Sequence, residues 1–96
     1  MKDILYRLCS ADGISGSENE VFETACELLG KYADVRRDIN GNIIAEMGDK
    51  NSKRHIMLDA HIDRIGLVVT YINDDGFIKA EPVGGIDLRT LQSSAV

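Results

Sequence analysis

Apolar residues first recur at helical spacing. Ile4, Leu5 and Leu8 fall three and four apart and predict a short amphipathic helix ending near Ser10. Ala11-Asp12-Gly13-Ile14-Ser15-Gly16 reads as a loop, and Ser17-Glu18-Asn19-Glu20 has the spacing of a capping box. Val21, Phe22, Ala25, Leu28 and Leu29 then give one apolar face to a second helix over about residues 18–31, with Gly30 placed to end it.

The period shortens after residue 33. Val35 to Asp38 and Asn42 to Glu46 predict two short strands, and Asn40-Gly41 suits a tight turn with positive φ, so the pair predicts a β-hairpin. Met47 to Lys53 is polar and predicts a surface connection. His55 to Ala60 has a continuous apolar centre, the pattern of a strand covered on both faces. Ile65 to Ile72 is a β-branched run, and Asn73-Asp74-Asp75-Gly76 predicts a turn into Phe77 to Glu81. Two helices followed by strands imply an α/β or α+β layer, and the expected class is α/β with helices packed on a mixed sheet. The terminal stretch from Gly84 runs to Val96 without a stop signal, which suggests a truncated chain.

Composition narrows the class. At 96 residues with 44% hydrophobic content, the chain has one domain as its ceiling and buries roughly 60–68% of its unfolded surface, enough for a small core. A net charge of −5 with scattered Lys and Arg argues against a nucleic-acid partner, because phosphate binding needs clustered positive charge. Cys9 and Cys26 form no CxxC pattern and read as reduced core thiols. Lys2, Asp3 and Arg7 interrupt any apolar leader and no run approaches a membrane span, so the expected address is cytoplasmic, with no membrane partner.

Candidate chemistry centres on His61 and Asp63. Positions i and i+2 of a strand share a face, which sets an imidazole beside a carboxylate. Neutral imidazole binds zinc or cobalt, and its other N–H usually meets a carboxylate that fixes the tautomer, a part Asp63 can take. On spacing alone so short a pattern is weak, because it arises often by chance and a surface ion pair explains it. A catalytic zinc needs about three protein ligands plus water. His55, six residues before His61, reads as a partly exposed strand residue, and Asp59 as a supporting or structural group. There is no GxSxG elbow or Cys/His pair for nucleophilic catalysis, and Gly84-Gly85 without a phosphate-binding pattern reads as a turn. Glu18, Glu20, Glu23 and Glu27 read as a helix's first turn and solvated face.

Four motifs occur in order: Gly13-Ile14-Ser15-Gly16-Ser17-Glu18, Asp38-Ile39-Asn40-Gly41-Asn42-Ile43-Ile44, Ala60-His61-Ile62-Asp63-Arg64-Ile65-Gly66, and Pro82-Val83-Gly84-Gly85-Ile86-Asp87-Leu88-Arg89-Thr90-Leu91. Together they resemble the glutamyl/deblocking aminopeptidases, tetrahedral-shell metallopeptidases of which some carry endoglucanase names. The resemblance spans residues 3 to about 92.

It implies a two-metal hydrolase that removes amino-terminal residues from peptides with zinc or cobalt and assembles as a dodecamer. His61 matches the family's first metal ligand and Asp63 the catalytic-site carboxylate that supports it. The remaining ligands and the general-base Glu come from later chain in the family. The 96 residues then correspond to the amino-terminal portion of a zinc-aminopeptidase-like catalytic domain, ending near an inserted oligomerisation β-domain, and are expected to be inactive alone. The pattern departs at Arg64, where the family commonly has Glu. Two other readings compete: a non-catalytic fragment or interaction module, motivated by the missing ligands, and an endoglucanase, which requires a carboxylate pair that nothing in the sequence singles out.

Overall fold

In the computed structural model, which describes residues 1–92, the elements run α1 (Lys2–Ser10), α2 (Asn19–Leu29), β1 (Asp34–Arg37), β2 (Ile43–Glu46), β3 (Gly66–Ile72), β4 (Ile78–Val83) and a short 3₁₀ turn (Leu88–Leu91). Residues 93–96, the end of the terminal stretch, lie outside the described residues.

Helix α1 has Asp3 in its first turn and Arg7 in its last, both favourable to the helix dipole. It packs on α2, and Arg7 pairs with Glu27 across the two helices. Because both side chains are well exposed, solvent screens this pair and it adds little to stability. Helix α2 buries Val21 and Ala25, four residues apart on one face, and with Ala11 they are the buried apolar residues among those described. The predicted capping box does not form. Glu18 occupies the N-cap position without a side-chain cap bond, and the Glu20 carboxylate reaches past Ser17 to accept from the Asp12 amide at 3.1 Å. Two backbone bonds take over the job of fixing the loop to the helix: Val21 N–H donates to Asp12 C=O at 3.0 Å, and Ser17 N–H to Ile14 C=O at 2.8 Å.

Both predicted hairpins are present. β1 pairs antiparallel with β2 in the register Val35 to Ala45 and Arg36 to Ile44. Its connection is a five-residue loop rather than a two-residue turn, with Gly41 at φ 90°. The Asp38 carboxylate organises that loop, accepting from the amides of Asn40 at 2.9 Å and Asn42 at 2.8 Å and from the Asn42 side-chain amide at 2.8 Å. The Arg37 guanidinium lies 4.3 Å from the Phe22 ring centroid and ties this hairpin to α2. β3 and β4 pair antiparallel with an irregularity between Val69 and Tyr71. Their turn is closed by the Asn73 side-chain oxygen, which accepts from Phe77 N–H at 2.7 Å.

The strands do not combine into the single mixed sheet predicted. The described residues contain two separate two-stranded antiparallel sheets, so helices and strands are both present but the layer is not. His55 to Ala60, predicted as a strand buried on both faces, has no regular structure, and Ile56, Met57 and Leu58 are 90%, 87% and 93% exposed. A strand of that kind needs a hydrogen-bonded neighbour on each edge and a covering layer on each face. Two short helices and two short hairpins do not supply them. The radius of gyration, 17.8 Å, shows the consequence, since a compact domain of this length has about 12 Å. Cys9 is likewise exposed rather than in the core, because α1 buries none of its residues, while Cys26 is half-buried; both thiols are free.

Candidate functional site

The site is built where the loop before α2 meets the chain before β3. Ile14 forms a parallel bridge with Arg64, and Arg64 N–H donates to Gly13 C=O at 2.8 Å. Glycine allows the close approach, at Gly66 toward Ile14 and at Gly13 toward Val21 of α2. A Cβ on Gly66 would lie 2.2 Å from Ile14 Cδ1, and one on Gly13 would lie 2.6 Å from Val21 Cγ1. Two widely separated motifs are thereby set edge to edge.

At this junction the structure brings His61 and Asp63 together. His61 Nδ1 lies 3.1 Å from Asp63 Oδ1 and 3.1 Å from the Asp63 carbonyl oxygen. Strand alternation does not cause this, because residues 61–63 are not in a strand; the backbone folds back locally so that the ring meets both oxygens of its neighbour. Both oxygens are acceptors, so the contacts call for the hydrogen on Nδ1, and in a neutral ring with that tautomer Nε2 keeps its lone pair. The His61 side chain is 86% exposed, and its two hydrogen-bond contacts are both made by Nδ1, not Nε2. The second carboxylate oxygen, Asp63 Oδ2, accepts a short hydrogen bond from the Ser15 hydroxyl. Ser15, and after it His61, hold the Asp63 carboxyl below its ordinary pKa.

His55 and Asp59 are exposed and take no part in this cluster. Arg64 turns to the end of α1, donating to the Cys9 carbonyl at 2.7 Å and lying 3.4 Å from the Asp12 carboxylate. Cys9 belongs to the last turn of α1, so this cation meets the negative end of a helix. Sequence reading missed Ser15 as a partner of Asp63. The Gly13 to Glu18 motif marked its neighbourhood, but a contact across 48 residues leaves no local signal.

Among the described residues no group of three or more His, Cys, Asp and Glu side chains is placed to hold a metal ion. The donor set is nevertheless of the right kind for part of one: an imidazole with a free Nε2, oriented through Nδ1 by an ionised carboxylate, is the arrangement that metal-binding histidines usually have. An open groove between the first hairpin and residues 54–60 reaches Ile62 and Asp63 but does not include His61, so the imidazole faces solvent rather than an enclosed pocket. No helix among the described residues is long and apolar enough to cross a membrane.

A mixed α/β chain with a carboxylate-oriented histidine is the class defined so far. Comparison with known proteins makes it specific. The family model described as M42 glutamyl aminopeptidase matches residues 41–96, and the chain belongs to that family. A protein of Acetivibrio thermocellus named as a candidate aminopeptidase is 40% identical over 87 residues, covering 90% of this chain and 26% of the relative. A candidate aminopeptidase of Escherichia coli (strain K12) is 36% identical over 98 residues, 100% of this chain and 26% of the relative. The lysyl aminopeptidase of Pyrococcus furiosus is 34% identical over 91 residues, 93% of this chain and 26% of the relative. The chain thus spans about a quarter of the length of these curated relatives.

Proposed function

We propose that this chain contributes the first metal ligand, His61, to a dinuclear-metal aminopeptidase that removes amino-terminal residues from peptides. The observation that carries the reading is the His61 Nδ1 to Asp63 Oδ1 contact at 3.1 Å, which leaves Nε2 available, in a chain of the M42 family. His61 would hold the ion through Nε2, while Asp63 keeps the ring in the required tautomer and raises its basicity. A divalent ion, zinc or cobalt, would supply an activated water near neutral pH and polarise the scissile carbonyl. The other ligands of the pair and the general base belong to the remainder of a catalytic domain of the length the relatives have. In that domain His55 to Ala60 becomes a strand of a mixed sheet, with the helices packed on it. Taken alone, the 96 residues are inactive in this reading, because the described residues gather no complete ligand set.

The test uses the complete catalytic domain, assayed on aminoacyl-anilides with zinc or cobalt. Removing a carboxylate that orients a ligand costs about 10- to 100-fold in metal affinity or activity. His61→Ala removes the ligand itself and is expected to exceed that loss, with a matching deficit in bound metal. Wild-type turnover in the His61→Ala protein would overturn the assignment. Metal-dependent peptidase activity from the 96 residues alone would overturn the view that they are only part of the site.

A further inference from the structure

We propose that Ser15 is a positioning residue for His61, acting through Asp63. The proposal rests on the reading of His61 as a metal ligand and extends it to a residue 46 positions earlier in the chain. Ser15 donates to Asp63 Oδ2 while Asp63 Oδ1 faces His61 Nδ1, so each carboxylate oxygen has its own partner. A carboxylate held by one oxygen still turns about its Cβ–Cγ bond; one held by both does not. Ser15 therefore fixes the plane in which Asp63 meets the imidazole, and with it the direction of the Nε2 lone pair.

The hydroxyl is itself well supported. Ser15 sits at the tip of a turn closed by the Ser17 amide donating to the Ile14 carbonyl at 2.8 Å, with Gly16 at φ 91° supplying the left-handed step. Glu18 accepts from the Gly16 amide at 2.6 Å and braces that step. The turn is joined to residue 64 by the Gly13 carbonyl and by Ile14 lying over Gly66. Ser15 thus reaches Asp63 from a short, doubly tied loop, and a small hydroxyl side chain carries little rotamer freedom to lose in being held there. Asp63 itself lies outside every helix and strand of the fold, so its bond to Ser15 closes no regular element.

The chain has two histidines, so the ring nitrogens of His61 are resolved against an internal control, His55, in a ¹⁵N-detected NMR spectrum of metal-free protein. The spectrum is recorded above the imidazole pKa, where both rings are neutral. His61 is expected to show Nδ1 protonated and Nε2 bare, a pattern distinct from the solvent-averaged His55. Ser15→Ala is expected to move the His61 nitrogens toward the His55 pattern, and Ser15→Thr, which keeps the hydroxyl, to restore them. Unchanged His61 nitrogens in Ser15→Ala overturn the proposal. So does loss of the pattern in Ser15→Thr despite retained backbone shifts, because the hydroxyl would then not be the operative group. The readout contains neither metal nor substrate. A positive result beside an active His61→Ala enzyme therefore refutes the ligand reading alone, and the reverse combination refutes the role of Ser15 alone.

Discussion

Asp38 is the clearest case of one side chain deciding local structure. It accepts from three donors of the loop it begins, and those bonds, the Asn42 side chain first, hold its carboxyl below its ordinary value of 3.8. Because the folded-state value is depressed, the stabilisation is complete above the unfolded-state value and is lost as pH falls through the folded one. The loop is therefore expected to persist at neutral pH and to open only in acid below the usual carboxylate range. A carboxyl-carbon NMR titration should place the Asp38 midpoint below 3.8, and Asp38→Asn should remove this acid step from the Asn42 amide shift. A midpoint at or above 3.8 would contradict the assignment. The sequence signalled the turn through Asn40-Gly41 but not its organiser, because an acceptor for three donors is recognised only once the loop's shape is known. His61 and Asp63 were legible for the opposite reason: their contact spans two residues, and local backbone suffices to make it.

Among the elements, local signals carried through and non-local ones did not. Both helices and both hairpins follow from spacing and turn residues within about twenty positions of each other. The strand expected at His55 to Ala60 depends on neighbours that no local pattern specifies, and the separate hairpins leave it without any. A longer-range union does form, the Ile14 loop against the start of β3, and it depends on Gly66. A Cβ there would meet Ile14 Cδ1 at 2.2 Å and Cγ1 at 2.3 Å, and β-branched isoleucine has few rotamers in which to retreat. Overpacking of this kind costs about 1–3 kcal/mol. Gly66→Ala is expected to speed hydrogen exchange of the Arg64 amide, which donates to Gly13 C=O, by about 5- to 150-fold. Adding Ile14→Ala should recover much of the protection. Exchange unchanged by Gly66→Ala would show that Ile14 yields freely and that the glycine is not required.

At the scale of the whole molecule, the two sheets share no strand, and the buried apolar side chains among the described residues are those of Ala11, Val21 and Ala25. Burial of about 25 cal/mol per Å² of apolar surface is the main force for folding, and this shape forgoes most of it along Ile56-Met57-Leu58. An exposed segment with an apolar centre and no regular backbone pairing offers other chains a strand edge to pair with. The 96-residue chain is therefore expected to self-associate as its concentration rises, through residues 55–60 rather than through the helices. Sedimentation velocity should give a weight-average mass climbing above the 10.6 kDa monomer. Ile56→Lys together with Leu58→Lys should return it toward the monomer, since both side chains are already solvent-exposed and their replacement disturbs no packing. The same pair of lysines placed on α1, at Leu5 and Tyr6, carries an equal charge change and is expected to leave association in place. If the α1 variant dissociates the chain as well, net charge governs association and the apolar segment does not.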